Sequence, residues 1–507
     1  MYNLKDYKNH IWKLKRSIMK IKYSFIVFIS IITILLFSCD SGTKTQKGVI
    51  SGVISLDGQN DYSGITVMLY SADIVPEKLK EMNNQYPQLA FTFKDKHIFD
   101  HREWTPLFTV VTNKSGAFSF PETIYGKYII AYLKEGWGYN YICDIELNAP
   151  EISVNNIQKK ELILYPEIMV PATIEGSYSF LQNKCYIVEN DVTALPNSNL
   201  NFAKDAKILI APSKKINIYG NCSFPEGNDF TFITSYSGIY SSSSIDLLNG
   251  EGIVYTGLVG TIKNLCITHQ NTGLSIRTNG TTLSNLLVRD CVYGISSLQV
   301  NNLEINNSAI MNNTSQDAAA ISNYTVNGCN VQGNIFYNNY ISLKHEIVKN
   351  AVVNNNAYID DNLSFANTYE STCTFQYNLI DNYGVGIENS GKSNLDIRYN
   401  FITADICIHN APSNNGYNTT NIGWTKANYN NFIATSLGVK SDAGYYYSDG
   451  PLPLDFKNNY WGITNIDAID GLILDYNDIG LVVGSGVSSI IIYIPFKNGP
   501  VTGAGIQ

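Results

Sequence analysis

The sequence predicts an all-β chain, with a small antiparallel sandwich first and a long parallel solenoid after it. Three observations carry this. Asn334, Asn356, Asn378 and Asn400 recur every 22 residues. Around each of them apolar side chains keep one phase. Cys329 and Val331, Ala351 and Val353, Cys373 and Phe375, and Leu395 and Ile397 stand five and three positions before their asparagine. The residues between are polar apart from Val352, so each stretch reads as a short strand with one buried face. A strand and turn repeated at this length mark a solenoid. Thirdly, the chain before residue 165 alternates differently, in short runs split by Gly, Asp and Asn, as antiparallel strands do.

The repeat loosens after Asn400 to Asn431 and Asn459, with gaps of 31 and 28. Asparagine tolerates left-handed backbone angles, and its amide reaches nearby backbone. Stacked coils would set identical amides one above another, each donating to the next. The six asparagines are therefore expected to form an inward ladder at a tight turn.

Length and composition bound the rest. At 507 residues there is room for two or three domains and an ample core. A net charge of −8 with 15% charged residues argues against nucleic acid as a partner, because phosphate binding needs clustered Lys and Arg. The 35 tyrosines suit a β-rich chain.

Residues 1–38 read as a signal peptide whose true start is Met19, with a basic stretch Lys20 to Lys22 before the apolar run Ser24 to Phe37. That run is short for a membrane span. Leu36-Phe37-Ser38-Cys39 resembles a bacterial lipobox of the looser kind seen in Bacteroidota. The resemblance implies a palmitate-bearing lipoprotein anchored through Cys39. The expected address is the bacterial envelope, at the outer membrane, on its periplasmic or cell-surface face. Residues 39–46 would be a tether. Of the other eight cysteines, Cys329 and Cys373 share one inward slot and are expected to pack rather than bridge. Cys185 and Cys222 are left as a pairing that spacing alone cannot decide.

The sandwich is expected over residues 47–165. Its strands are Val49 to Ile54, Gly64 to Tyr70, Thr109 to Thr112, Ala117 to Phe120 and Gly126 to Tyr132. The Gly-Ile-Thr-Val-x-Leu strand, the Thr-x-x-x-Gly-x-Phe-x-Phe hairpin and the Gly-x-Tyr strand resemble the carboxypeptidase regulatory-like domain. That resemblance implies a transthyretin-like accessory module without a protease site. Residues 71–107 interrupt it as a long insertion, with a short helix expected over Pro76 to Gln85. His97, Asp100 and His101 would share a face if helical and could hold a metal. The plainer expectation is a solvated loop or a cap with incidental histidines, and no metal is assigned.

The solenoid is expected over residues 172–507. Its rungs, closed by Asn458-Asn459-Tyr460-Trp461-Gly462, resemble bacterial right-handed parallel β-helix repeat proteins of the pectate-lyase-like type. Some enzymes on that fold use acids to hold Ca²⁺ and an Arg or Lys to abstract a proton beside a uronate carboxylate. By the expected register, Asp396, Arg398, Asp455 and Lys457 point outward from one sheet as the candidate catalytic set. The alternative is a solvated face with cross-coil ion pairs. Arg289 and Asp290, adjacent in a strand, are expected to face opposite ways. His269, His345 and His409 are expected at turns or on the surface. Asp467, Asp470, Asp475 and Asp478 lack the EF-hand order and read as a solvated connection, so Ca²⁺ is no more than a possible cofactor.

Binding is favoured over catalysis. A β-helix offers a long rigid face on which Tyr and Trp can stack on sugars, with Asn, Gln and Thr for hydroxyls. Tyr445, Tyr446 and Tyr447 could overhang that face as ligand-binding residues. The expected function is polysaccharide binding by a membrane-anchored protein. The alternatives are a polysaccharide lyase or glycoside hydrolase on the same face, or a structural or adhesive surface protein.

Overall fold

The computed structural model describes residues 46–159, 161–237, 249–316, 318–411, 423–441, 452–479 and 489–507. Cys39, the expected signal peptide and most of the expected tether lie outside the described residues, as do Tyr445, Tyr446 and Tyr447. Among the described residues no helix is long and apolar enough to cross a membrane.

The N-terminal sandwich forms because alternating strands bury one face each. Lys47–Leu56 pairs antiparallel with Ala117–Ser119 and Thr123–Ile124, and in parallel with Glu151–Ser153 and Leu162–Leu164. The facing sheet runs Phe108–Val111, Thr66–Ser71, Gly126–Leu133, Tyr139–Leu147. Ile50, Ile54, Val67, Leu69, Phe118, Ile130 and Ile145 fill the space between them.

A right-handed parallel β-helix follows, with every rung contributing to three sheets. It opens at Ile168–Met169, slightly earlier than the sequence indicates. One full coil shows the plan. Asn327–Gln332 lies in the third sheet, Ile335–Tyr337 in the first and Ile341–Glu346 in the second, and Lys349–Asn354 returns to the third. Inward side chains stack in columns, as Phe336 does on Tyr358 with centroids 4.6 Å apart. Cys329, Ala351 and Cys373 are register partners in one such column. All eight described cysteines are free, Cys185 and Cys222 included.

The amide ladder lies at the turn between the third and first sheets. Each backbone N–H donates to the next side-chain oxygen: Asn334 to Asn356, Asn356 to Asn378, and Asn378 to Asn400, at 2.8–3.0 Å. It then continues to Asn430, not Asn431, and from Asn430 to Asn459. This corrects the expected register by one residue. The Asn431 amide instead brackets the backbone of Val501. Nor do the ladder asparagines carry the left-handed turn. That falls on the residue before each, namely Gly333, Asn355, Tyr377, Tyr399, Tyr429 and Asn458, with φ between 51° and 68°.

A second ladder, not foreseen, occupies the turn between the first and second sheets. Asn313 donates to Asn339 Oδ1, and Asn339 donates to Asp361 Oδ1 at 2.9 Å. Asp361 is fully buried, and its Oδ2 meets no partner among the described residues. Burial pushes its carboxyl up to about 7, against the Asn339 and Ser342 hydrogen bonds. A raised carboxyl pKa means that the folded state holds the proton. The favourable contribution is complete below about pH 4 and is lost as pH rises through about 7. Asp361→Asn should therefore stabilise the protein by on the order of 2–4 kcal/mol at pH 8 and by little at pH 4. Denaturant melts at both pH values check this, and an unchanged gap would refute it.

The insertion is a docked strap rather than a solvated loop. Its helix Glu77–Gln85 begins after Pro76, as expected. Val75, Leu79, Met82, Leu89, Phe91 and Phe93 cover an apolar stripe on the outer face of the first sheet, formed by Cys266, Leu287, Met311, Ile335 and Ile359 among others. Each fully buried side chain of this kind contributes roughly 1.5–3 kcal/mol.

Candidate functional site

The third sheet exposes a groove near its C-terminal end. Thr372, Asn394 and Trp424 are register partners, as are Thr374, Asp396 and Lys426. Strand alternation turns these outward, while Cys373, Leu395 and Thr425 form the floor. Pro453 and Asp455 on Leu452–Asp455 complete a groove of about 490 Å³. Trp424 is 52% exposed there, which is uncommon for so large an apolar ring.

Two of the four candidate catalytic residues meet in this groove. Asp396 and Asp455 line it together with Lys426, whereas Arg398 and Lys457 lie outside its lining. Asp396 forms an ion pair with Arg398 two residues along its own strand. Asp455 Oδ1 accepts from Asn428 Nδ2 at 3.4 Å and from the backbone N–H of Lys457 at 3.3 Å. Trp424 and Lys426 are absent from the set drawn from the sequence. Their signal was present, since Trp424-Thr425-Lys426-Ala427 alternates ahead of Asn430, but anchoring on Asn431 placed them out of phase.

Beside the third sheet, the left-handed residues Tyr377, Tyr399 and Tyr429 stack face to face with centroids 5.4 Å apart. Their faces are largely occupied by one another. Asp475, expected to be solvated, is buried and accepts from the backbone N–H of Ile491 at 2.7 Å.

A second polar concentration lies where the strap meets the early rungs. The Asp100 carboxylate takes a forked bond from Arg102, with Nε to Oδ1 at 2.9 Å and Nη2 to Oδ2 at 2.6 Å. Arg102 also donates to the carbonyl of Ser235 and the hydroxyl of Thr234. Glu103 Oε1 lies 2.6 Å from His269 Nε2 and 3.0 Å from Arg289 Nη1. Arg289 and Asp290 do meet, contrary to expectation. Asp290 sits at a left-handed turn with φ 54°, which ends the strand and lets its carboxylate fold back.

His269 sits at a left-handed turn with φ 55°, as expected, but both it and His345 are buried, while His409 is half-buried beside Glu388. His97 and His101 do not converge. His97 packs on Phe91 and Phe230, while His101 Nδ1 lies 2.8 Å from the Tyr141 hydroxyl. Asp100, Glu103 and His269 bring ligand atoms within 4.8 Å of one another. Both carboxylates are already matched by guanidinium groups, so a cation would have to displace Arg102 and Arg289. The arrangement is that of a clasp between the strap and the solenoid. No family model matches this chain, and no curated protein matches it.

Proposed function

We propose that this protein is an envelope lipoprotein that binds a polysaccharide in the groove of its third sheet. The observation that carries the reading is Trp424, an exposed indole set among Thr372, Thr374, Asn394, Asp396 and Lys426. An indole offers a flat apolar face to a sugar ring, and the flanking groups serve its hydroxyls. The β-helix is rigid, so little ordering entropy opposes binding. The lipobox-like stretch ending at Cys39 supports anchoring. The sandwich, by its likeness to carboxypeptidase regulatory-like modules, acts as an accessory between anchor and solenoid.

The test is a glycan array followed by calorimetry on the best ligand. Trp424→Ala should weaken binding at least about tenfold with the fold intact, since an aromatic anchor commonly contributes more than 1 kcal/mol. Unchanged affinity would remove the groove from consideration.

Asp396 and Asp455 in one groove, with Lys426 between them, favour a lyase or hydrolase as the second reading. Incubation with uronate polymers decides it. Unsaturated product that disappears in Lys426→Ala or Asp396→Asn would mark a lyase, and binding without turnover would mark a receptor.

A further inference from the structure

A cleft of about 370 Å³ separates the sandwich from the first rungs of the solenoid, with Asp100 and Arg289 of the polar clasp in its lining. Strand Tyr139–Leu147 forms one wall, the strap segment around His97 to Asp100 a second, and the outer face of the first sheet the third. Lys207 projects from that sheet in register with Phe232. It is 4% exposed. Its ammonium donates to Asn140 Oδ1 at 3.0 Å and lies 5.6 and 5.9 Å from the ring centroids of Tyr139 and Tyr141. Among the described residues no carboxylate lies within ion-pair distance of it. One of its three donors is therefore used by an oxygen, in a place where an ammonium is costly unless paired. Burial accordingly pulls its pKa down, with Asp205 opposing.

Two further residues of the lining each carry a buried donor without a partner, His97 Nε2 and Arg289 Nε. The rim has the opposite character, with Asp144 and Glu161 exposed and Asp205 half-buried. The interior sets the Lys207 ammonium among tyrosines, with the Asp100 carboxylate in the lining already matched by Arg102, and the rim supplies acceptors; together they define a ligand with an anionic head and several hydroxyl donors.

We propose that this junction cleft binds a single sugar acid, with its carboxylate on the Lys207 ammonium, its ring against the tyrosine wall and its hydroxyls donating to the rim carboxylates. The cleft lies on the first sheet, apart from the Trp424 groove on the third, so the two readings stand or fall separately.

Calorimetric titration with glucuronate, galacturonate, galactose and acetate tests it. Both uronates should saturate with Kd below about 1 mM, and galactose and acetate should bind at least about tenfold more weakly. Lys207→Met should weaken uronate binding by at least about tenfold while melting no lower than the parent, because it removes an unpaired buried charge. Should that variant misfold, Lys207→Gln keeps a donor toward Asn140 and should show the same loss. Trp424→Ala should leave uronate affinity unchanged. No saturation by either uronate at about 20 mM, or equal affinity in the folded Lys207 variant, overturns the proposal.

Discussion

Asn356→Ala is expected to cost about 3–5 kcal/mol, which is among the largest effects that one uncharged side chain can have. The Asn356 side chain accepts from both the backbone N–H and the Nδ2 of Asn334 at 3.0 Å. Its own Nδ2 donates to the carbonyls of Val331 and Asn354 and to Asn378 Oδ1. All of this is sealed from water, so truncation orphans donors and acceptors that have no substitute. Asn430→Ala should behave similarly. Asn431→Ala, which loses only the two bonds to the half-buried Val501 backbone and leaves the ladder intact, should cost about 1–2 kcal/mol. Denaturant midpoints of the three variants check the register directly. An Asn431 effect as large as that of Asn430 would contradict it.

The second large effect is expected at the clasp. Asp100→Ala strips Arg102 of its carboxylate while the guanidinium stays in place, its side chain 16% exposed, against the solenoid. Breaking such a pair from one side costs about 3–5 kcal/mol. Replacing both partners, as Asp100→Leu with Arg102→Met, should recover most of the loss. Burial alone would raise the Asp100 carboxyl, but Arg102 beside it holds the group well below the usual carboxylate range. A depressed carboxyl contributes fully above its unfolded value and loses that contribution only as pH falls through the folded one. The gap between parent and Asp100→Ala should therefore stay constant from pH 8 to about 5, measured by melts at each pH. Limited proteolysis should also cut the strap of the variant faster. An unchanged cleavage rate together with an unchanged melt would refute the clasp.

The architecture was readable because the solenoid repeats its signal. Each rung restates the same apolar phase, and one buried face per strand makes register legible. The sandwich was readable from alternation and turn residues. The groove was only half readable. Asp396 followed from the repeat. The coil after it is interrupted by an insertion, and Asn430 and Asn431 are neighbours of identical type. Choosing the wrong one shifts the strand by a residue, which exchanges Lys426 and Trp424 for inward positions.

The clasp and the cleft were not readable for a different reason. They join Asp100 and Glu103 to His269 and Arg289, residues that no local pattern relates. The strap's apolar residues at Leu79, Met82, Phe91 and Phe93 gave a hint, since a solvated loop has no use for them.

The strap also bears on how the molecule comes apart. Stacked-repeat proteins touch only their neighbours and tend to fray coil by coil from an end. Here one splint reaches from Arg102 at the Ser235 carbonyl, past the Ala90 N–H on the Gly333 carbonyl, to Lys78 at Asp360, 2.5 Å away. Rungs more than a hundred residues apart are thereby bound to one segment, and opening any of them first requires peeling it away. The rungs between Ser235 and Asp360 are therefore expected to melt together rather than coil by coil.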